Sequence, residues 1–163
     1  MKGRYWVDAN SLIWGARDPY PMDGAMGYWN WFEKMVDAGK ITSHKRVIKE
    51  VLDGDKKGQP EPIISWVKTR QNKLADQAPD SEECQQLVGK LCQFSYEKFG
   101  PAKTVEFTKG ADLFLIARAL LDDGAVVTQE SEKKLVRVPT VCAQFDVPYK
   151  TIFQMNKELK MKL

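Results

Sequence analysis

Four short apolar runs, spaced between longer segments of helical periodicity, constrain this chain more than any other feature. Residues 5–7 in "RYWVDANSLIW", 40–42, 125–128 in "GAVVTQE" and 149–151 read as short strands. Between and after them, residues 11–16, 26–38, 44–52, 61–75, 81–99, 111–121, 139–145 and 153–160 carry apolar positions at helical spacing. Ser43 stands where it can cap a helix, and Gly39 where it can end one. Strands alternating with helices predict an α/β fold of three layers, a mostly parallel sheet covered on both faces and joined by right-handed crossovers. A chain of 163 residues suits one domain over 1–163, with the helices of residues 54–100 inserted on the same core.

The first strand stops at a carboxylate, Asp8, and apolar residues resume two positions later. An Asp there can cap the helix that follows, or it can stand at the carboxyl end of a buried strand, where parallel sheets place ligand-binding groups. Three more acids share that topological description. Glu50 lies on the helix after the second strand, just outside its apolar stripe. Asp112 opens the apolar helix of "GADLFLIARALLDDG", and Glu130 follows the third strand. Strand ends and the starts of the next helices face one rim, so the four acids can converge. Two carboxylates about 5 Å apart at an effective dielectric near 20 repel by roughly 3 kcal/mol. Such a cluster needs protonation, Lys or Arg partners, or a divalent cation. Oxygen donors suit Mg²⁺ or Mn²⁺, and metal-assisted hydrolysis of a phosphodiester is chemistry that such a site supports.

Composition closes other routes. One His, and three Cys without C-x-x-C spacing, exclude the usual zinc sites and a disulfide framework. Cys84, Cys92 and Cys142 read as buried or idle thiols, and His44, in "TSHKR", as a solvated surface residue. The net charge of +3 does not by itself indicate nucleic acid, although Lys and Arg cluster in "GDKKG", "SEKKLVR" and "NKELKMKL". No run is long enough to span a membrane and the start lacks a signal-peptide core, so the expected location is cytoplasmic. The aromatics Tyr28, Trp29, Trp31 and Phe32 are too many for one helix face. They divide between core and loop packing, or part of "PYPMDGAMGYWNW" forms an apolar patch for a protein partner or a second protomer in a homodimer.

Taken jointly, "YWVDANSLIW", "SHKRVIKEVLDG", "GADLFLIARAL" and "GAVVTQE" resemble the four motifs of the PIN domain, a nuclease fold that includes VapC-like toxins. Within that superfamily, "YWVDANSLIWGARDPYPMD" and "YWNWFEKMV" are most similar to the PIN-like domain of unknown function 4411, often linked with toxin–antitoxin pairs. The resemblance covers nearly the whole chain. It implies a ribonuclease dependent on Mg²⁺ or Mn²⁺, in which Asp8, Glu50 and Asp112 are metal ligands and Glu130 a fourth acid. The fourth motif more often carries Asp, and "TQESE" offers Glu130 or Glu132. Asn10 and Ser11 would support the ligands or cap a helix, and Thr128 would line the pocket. The implied partners are RNA and a cognate antitoxin. A non-catalytic PIN-fold module that binds RNA or protein is the alternative, and a receiver-like phosphotransfer protein is disfavoured because strand one lacks Asp-x-Asp and no Gly-rich phosphate loop is present.

Overall fold

The alternation of side chains along β1 (Tyr5–Val7) and β3 (Ala125–Val127) builds two hydrophobic cores at once. Trp6 and Val126 point to one face of the sheet and Val7 and Val127 to the other, all buried. In the computed structural model these strands pair in parallel, Tyr5 opposite Ala125 and Val7 opposite Val127. On the outer sides lie β2 (Ile41–Thr42), paired with β1, and β4 (Tyr149–Lys150), paired with β3, so the order is β2-β1-β3-β4 and every pairing is parallel. The structure describes residues 2–54, 61–102, 111–129 and 138–163.

Helices cover both faces, giving the α/β/α architecture expected from the strand–helix alternation. The Val7 face carries α1 (Ala9–Arg17), α2 (Met26–Asp37), α4 (Pro62–Lys68) and α9 (Ile152–Glu158), around Trp29, Phe32, Ile63, Trp66 and Ile152. The Trp6 face carries α6 (Glu82–Phe99), α7 (Asp112–Leu121) and α8 (Val138–Gln144), around Leu91, Leu115, Ile116 and Val141. Helix α3 (Lys45–Asp53) serves both, with Ile48 and Val51 in the first core and Val47 in the second. The described helices of the middle third are thus divided between the layers, α4 in one and α6 in the other.

The aromatic run of α2 goes wholly to the core. Tyr28 and Trp29 are fully buried and Trp31 and Phe32 nearly so, with Tyr28 stacked on Trp29 at 5.1 Å and Trp29 edge-on to Trp66 at 5.3 Å. These aromatics therefore do not form the exposed apolar patch expected as one alternative for a partner. Cys84 and Cys142 are buried and Cys92 half-buried, all free thiols.

Two local expectations are corrected. Residues 61–75 form not one helix but α4 and α5 (Gln71–Leu74). The Thr69 hydroxyl and the Arg70 guanidinium both donate to the Trp66 carbonyl, at 3.2 and 3.1 Å, while the Arg70 backbone N–H turns to Val67 O. Side-chain donors have taken the acceptor that a continuing helix would use. The cap of α3 is likewise not Ser43. Its hydroxyl donates to Val7 O at 2.6 Å, and His44 caps instead.

Behind the sheet's amino rim, Asp122 accepts from the Arg4 backbone N–H at 3.1 Å, from the Arg4 guanidinium and from Trp6 Nε1 at 2.8 Å. This fixes the end of α7 to the start of β1. Gly124 follows, where a Cβ would overlap the Arg4 carbonyl oxygen. Only glycine lets the chain turn from α7 into β3 this close to β1.

Candidate functional site

The strand order creates a switch point. From β1 the chain crosses to β2 on one side, and from β3 it crosses to β4 on the other, so the carboxyl ends of β1 and β3 flank the crevice where open α/β sheets hold ligands. Asp8 ends β1 there and Thr128 ends β3. The Asp8 backbone N–H donates to Val127 O at 3.0 Å, and the Ser11 hydroxyl donates to the same carbonyl at 3.2 Å. Asp8 Oδ1 accepts from the Ser11 backbone N–H at 2.8 Å, which makes it the N-cap of α1. Cap and strand-end acid are one residue, because α1 begins at Ala9, directly after the strand.

Asp8 is 3% exposed. Burial raises its carboxyl above the ordinary Asp range, and hydrogen bonds from Ser11 and Thr128 offset part of that rise. None of the ion pairs among the described residues involves it. A buried, oxygen-only acceptor with no cationic partner among the described residues has the donor chemistry of a hard-cation ligand.

Asp112 is the first residue of α7, half-buried, and Glu50 lies on the solvent side of α3. The two meet at one helix start, where Glu50 Oε1 accepts from the Ala111 backbone N–H at 2.8 Å. Helix α7 runs antiparallel to the strands and packs on both β1 and β3, so its first turn lies toward the carboxyl rim. Asn10 is exposed in the first turn of α1, whereas Ser11 and Thr128 are buried against Asp8. Glu130 and Glu132 lie outside the described residues. Among the described residues no group of three or more His, Cys, Asp or Glu side chains is close enough together to hold a metal ion.

A family model described as a domain of unknown function (DUF4411) matches residues 5–163. The chain belongs to this family. No curated protein and no solved structure matches it. The match runs from β1 to the last residue and so includes every acid named above.

One DUF4411 residue beside the rim was misjudged from sequence. His44 is not solvated but 2% exposed. Its Nδ1 accepts from the Arg46 backbone N–H at 3.1 Å, which leaves the ring proton on Nε2, 2.9 Å from Asp80 Oδ1. Burial pushes its pKa below the usual imidazole range, against the pull of Asp80. Asp80 also receives Arg118, which with Arg4 brackets Asp76 at 2.7 and 2.8 Å. The alternating chain Asp122, Arg4, Asp76, Arg118, Asp80, His44 runs from the amino rim to the carboxyl rim, where it steadies the start of α3. Its partners are 36 or more residues from His44 or from Arg4, so no local pattern announces them.

Proposed function

We propose that this DUF4411 protein is a ribonuclease that depends on a divalent cation, with its reaction centre on the carboxyl rim at Asp8. The observation that carries the reading is Asp8 itself, a desolvated carboxylate at the switch point with no cationic partner among the described residues. The motif resemblance to PIN domains supports the same reading. Asp8, Glu50, Asp112 and Glu130 would hold Mg²⁺ or Mn²⁺, which when bound supplies Lewis-acid stabilisation of charge on a phosphate oxygen. Ser11 and Thr128 orient the Asp8 carboxylate. Glu50 fixes the start of α7 through Ala111 and thereby sets where Asp112 projects. Lys45 and Lys49, exposed on α3 beside a cavity of about 250 Å³, supply positive charge for the phosphate backbone. In the cell the RNA substrate would be joined by a second partner, an antitoxin that restrains the activity.

Incubation of single-stranded RNA with the purified protein tests this. Wild type should cleave with Mg²⁺ or Mn²⁺ and stop in chelator, and Asp8→Asn and Asp112→Asn should each lose activity by two orders of magnitude or more, on the order of one lost electrostatic stabiliser. Cleavage that persists in both variants would remove the reading. On expression, wild type should slow growth, Asp112→Asn at matched soluble level should not, and the neighbouring gene product should rescue. Equal harmlessness would remove the toxin role.

A second reading, a non-catalytic RNA-binding module of the same fold, is favoured by two observations. No three-acid group forms among the described residues, and Glu50 is engaged by a backbone N–H. RNA binding without cleavage in any divalent cation would select it.

A further inference from the structure

We infer that the pocket between Tyr20, in the segment after α1, and α9 with the residues that follow it binds one unpaired nucleobase of a single-stranded nucleic acid, an inference that rests on the proposed RNA function. The pocket has a volume of about 310 Å³ and is lined by Tyr20, Phe153, Asn156, Lys157, Lys160 and Met161. That volume is near the small end of the range of about 300–1,000 Å³ typical of small-molecule sites.

Phe153 is the anomaly that points to a ligand. The aromatics of α2 on the same side of the sheet are buried, yet Phe153 is 48% exposed. Its ring is held edge-on against Trp14, with centroids 5.7 Å apart, and lies 6.3 Å from Tyr20. A fixed, half-exposed aromatic is a stacking platform, and stacking accepts any base because every base has a π face.

The polar groups match such a ligand. Asn156, 3% exposed, accepts from the Tyr28 hydroxyl at 3.0 Å and donates to the Tyr20 hydroxyl at 3.3 Å. Those bonds fix the Tyr20 wall, while the amide nitrogen keeps a second proton to donate. Lys157 and Lys160 are exposed, and among the described residues no acid lines the pocket. Glu158, between them in sequence, is turned away to the Tyr5 hydroxyl at 2.6 Å and to Lys150 at 3.0 Å. Two lysines uncompensated by a lining acid, beside aromatic rings and a buried amide, fit a base with its phosphates better than an apolar peptide.

One end of the pocket, at Phe153, lies toward the carboxyl rim, and the other, at Lys160 and Met161, follows the end of α9. Phe153 is in the first turn of α9, whose Ile152 N–H donates to Gln129 Oε1 at 2.8 Å, and Gln129 follows Thr128. A base stacked on Phe153 would hold the strand at the end of α9 that is tied to the chain just after β3.

The test is fluorescence anisotropy of a labelled single-stranded RNA of about 10 nucleotides, titrated with the full chain in chelator so that no cleavage intervenes. Wild type should bind the single strand more tightly than the same sequence in a duplex. Phe153→Leu, apolar but without a π face, should weaken binding about tenfold, and Phe153→Trp should not. The double variant Lys157→Ala with Lys160→Ala should lower the log–log salt slope by roughly 1.4. Unchanged melting temperatures would exclude misfolding at these exposed positions. Binding by Phe153→Leu equal to wild type, or equal affinity for single strand and duplex, would overturn the inference. Binding of the predicted pattern with no cleavage on adding Mn²⁺ would uphold the pocket and remove the nuclease reading. Mn²⁺-dependent cleavage whose KM is unmoved by Phe153→Leu would do the reverse.

Discussion

Replacing Asp8 separates its duty to the fold from its duty to the site. Asn keeps an oxygen acceptor for the Ser11 N–H at 2.8 Å and removes the charge, whereas Ala removes both. Loss of an N-cap costs about 1 kcal/mol. With 163 residues and an unfolding entropy of about 2.1 cal/mol/K per residue, that cost lowers Tm by roughly 3 °C. Asp8→Ala should therefore melt about this far below Asp8→Asn in chelator, since both remove the charge and only Ala removes the cap. Because burial raises the folded-state pKa of Asp8 above its unfolded value, the ionised side chain opposes folding. Its contribution is favourable below the unfolded-state pKa and lost as pH rises through the folded one. Wild type should therefore melt below Asp8→Asn at neutral pH and gain on it as pH falls through that window. Mn²⁺ should invert the order at neutral pH: at 100 times its Kd it adds about 2.7 kcal/mol, roughly 8 °C, to the state that binds it. Scanning calorimetry of wild type, Asp8→Asn and Asp8→Ala, in chelator and in Mn²⁺, reads all of these terms. An equal Mn²⁺ shift in wild type and Asp8→Asn would refute the ligand role, an Asn variant as unstable as Ala would refute the cap, and an Asn variant that melts below wild type at neutral pH in chelator would refute the charge argument.

Two further variants probe the supports of the rim. Asp122→Ala strands the Trp6 and Arg4 donors behind the sheet and should cost about 3 kcal/mol or more in urea unfolding, as removal of one partner from a buried charged network does. His44→Ala should cost about 1–2 kcal/mol through the lost α3 cap and the Asp80 bond, and His44→Asn should recover the cap share. Since the His44 pKa is lowered in the folded state, its contribution is present above the unfolded imidazole pKa and lost as pH falls through the folded one. The difference between wild type and His44→Ala should shrink over that range in a pH series of urea titrations.

The layers were legible because their signals are local. Trp6 and Val7 alternate within one strand, and the apolar α7 is followed by Asp-Asp-Gly and a β-branched run, so both the strand and its burial on two faces follow from adjacent residues. The end of β1 was legible for the same reason, and with it the position of Asp8. What failed depends on distant partners or on competition for one atom. His44 is buried only because Asp80 and Phe114, 36 and 70 residues away, close over it, the latter at 5.4 Å between ring centroids. The break between α4 and α5 turns on which donor wins the Trp66 carbonyl. The destination of the α2 aromatics was undecidable from a helical wheel, because what buries them is tertiary: Trp66 of α4, more than thirty residues on, packs against Trp29 and Phe32. The fourth acid, Glu130, falls outside the described residues.

The two explanations offered for Asp8 prove not to compete, and that bears on how the site would work. A strand that passes straight into a helix leaves unpaired backbone N–H groups at the point where a switch-point crevice opens. A carboxylate there satisfies the helix, through Ser11, with one oxygen, and the buried setting leaves the charge poorly compensated. The capping bond pins the carboxylate's direction, while desolvation makes its ionised form seek a cation. In the proposed nuclease, stability and reactivity would therefore be opposed at a single atom group: the substitution that relieves the fold, Asp8→Asn, is the one that should silence the site. A purely structural cap would carry no such conflict, and Asn would serve it at least as well.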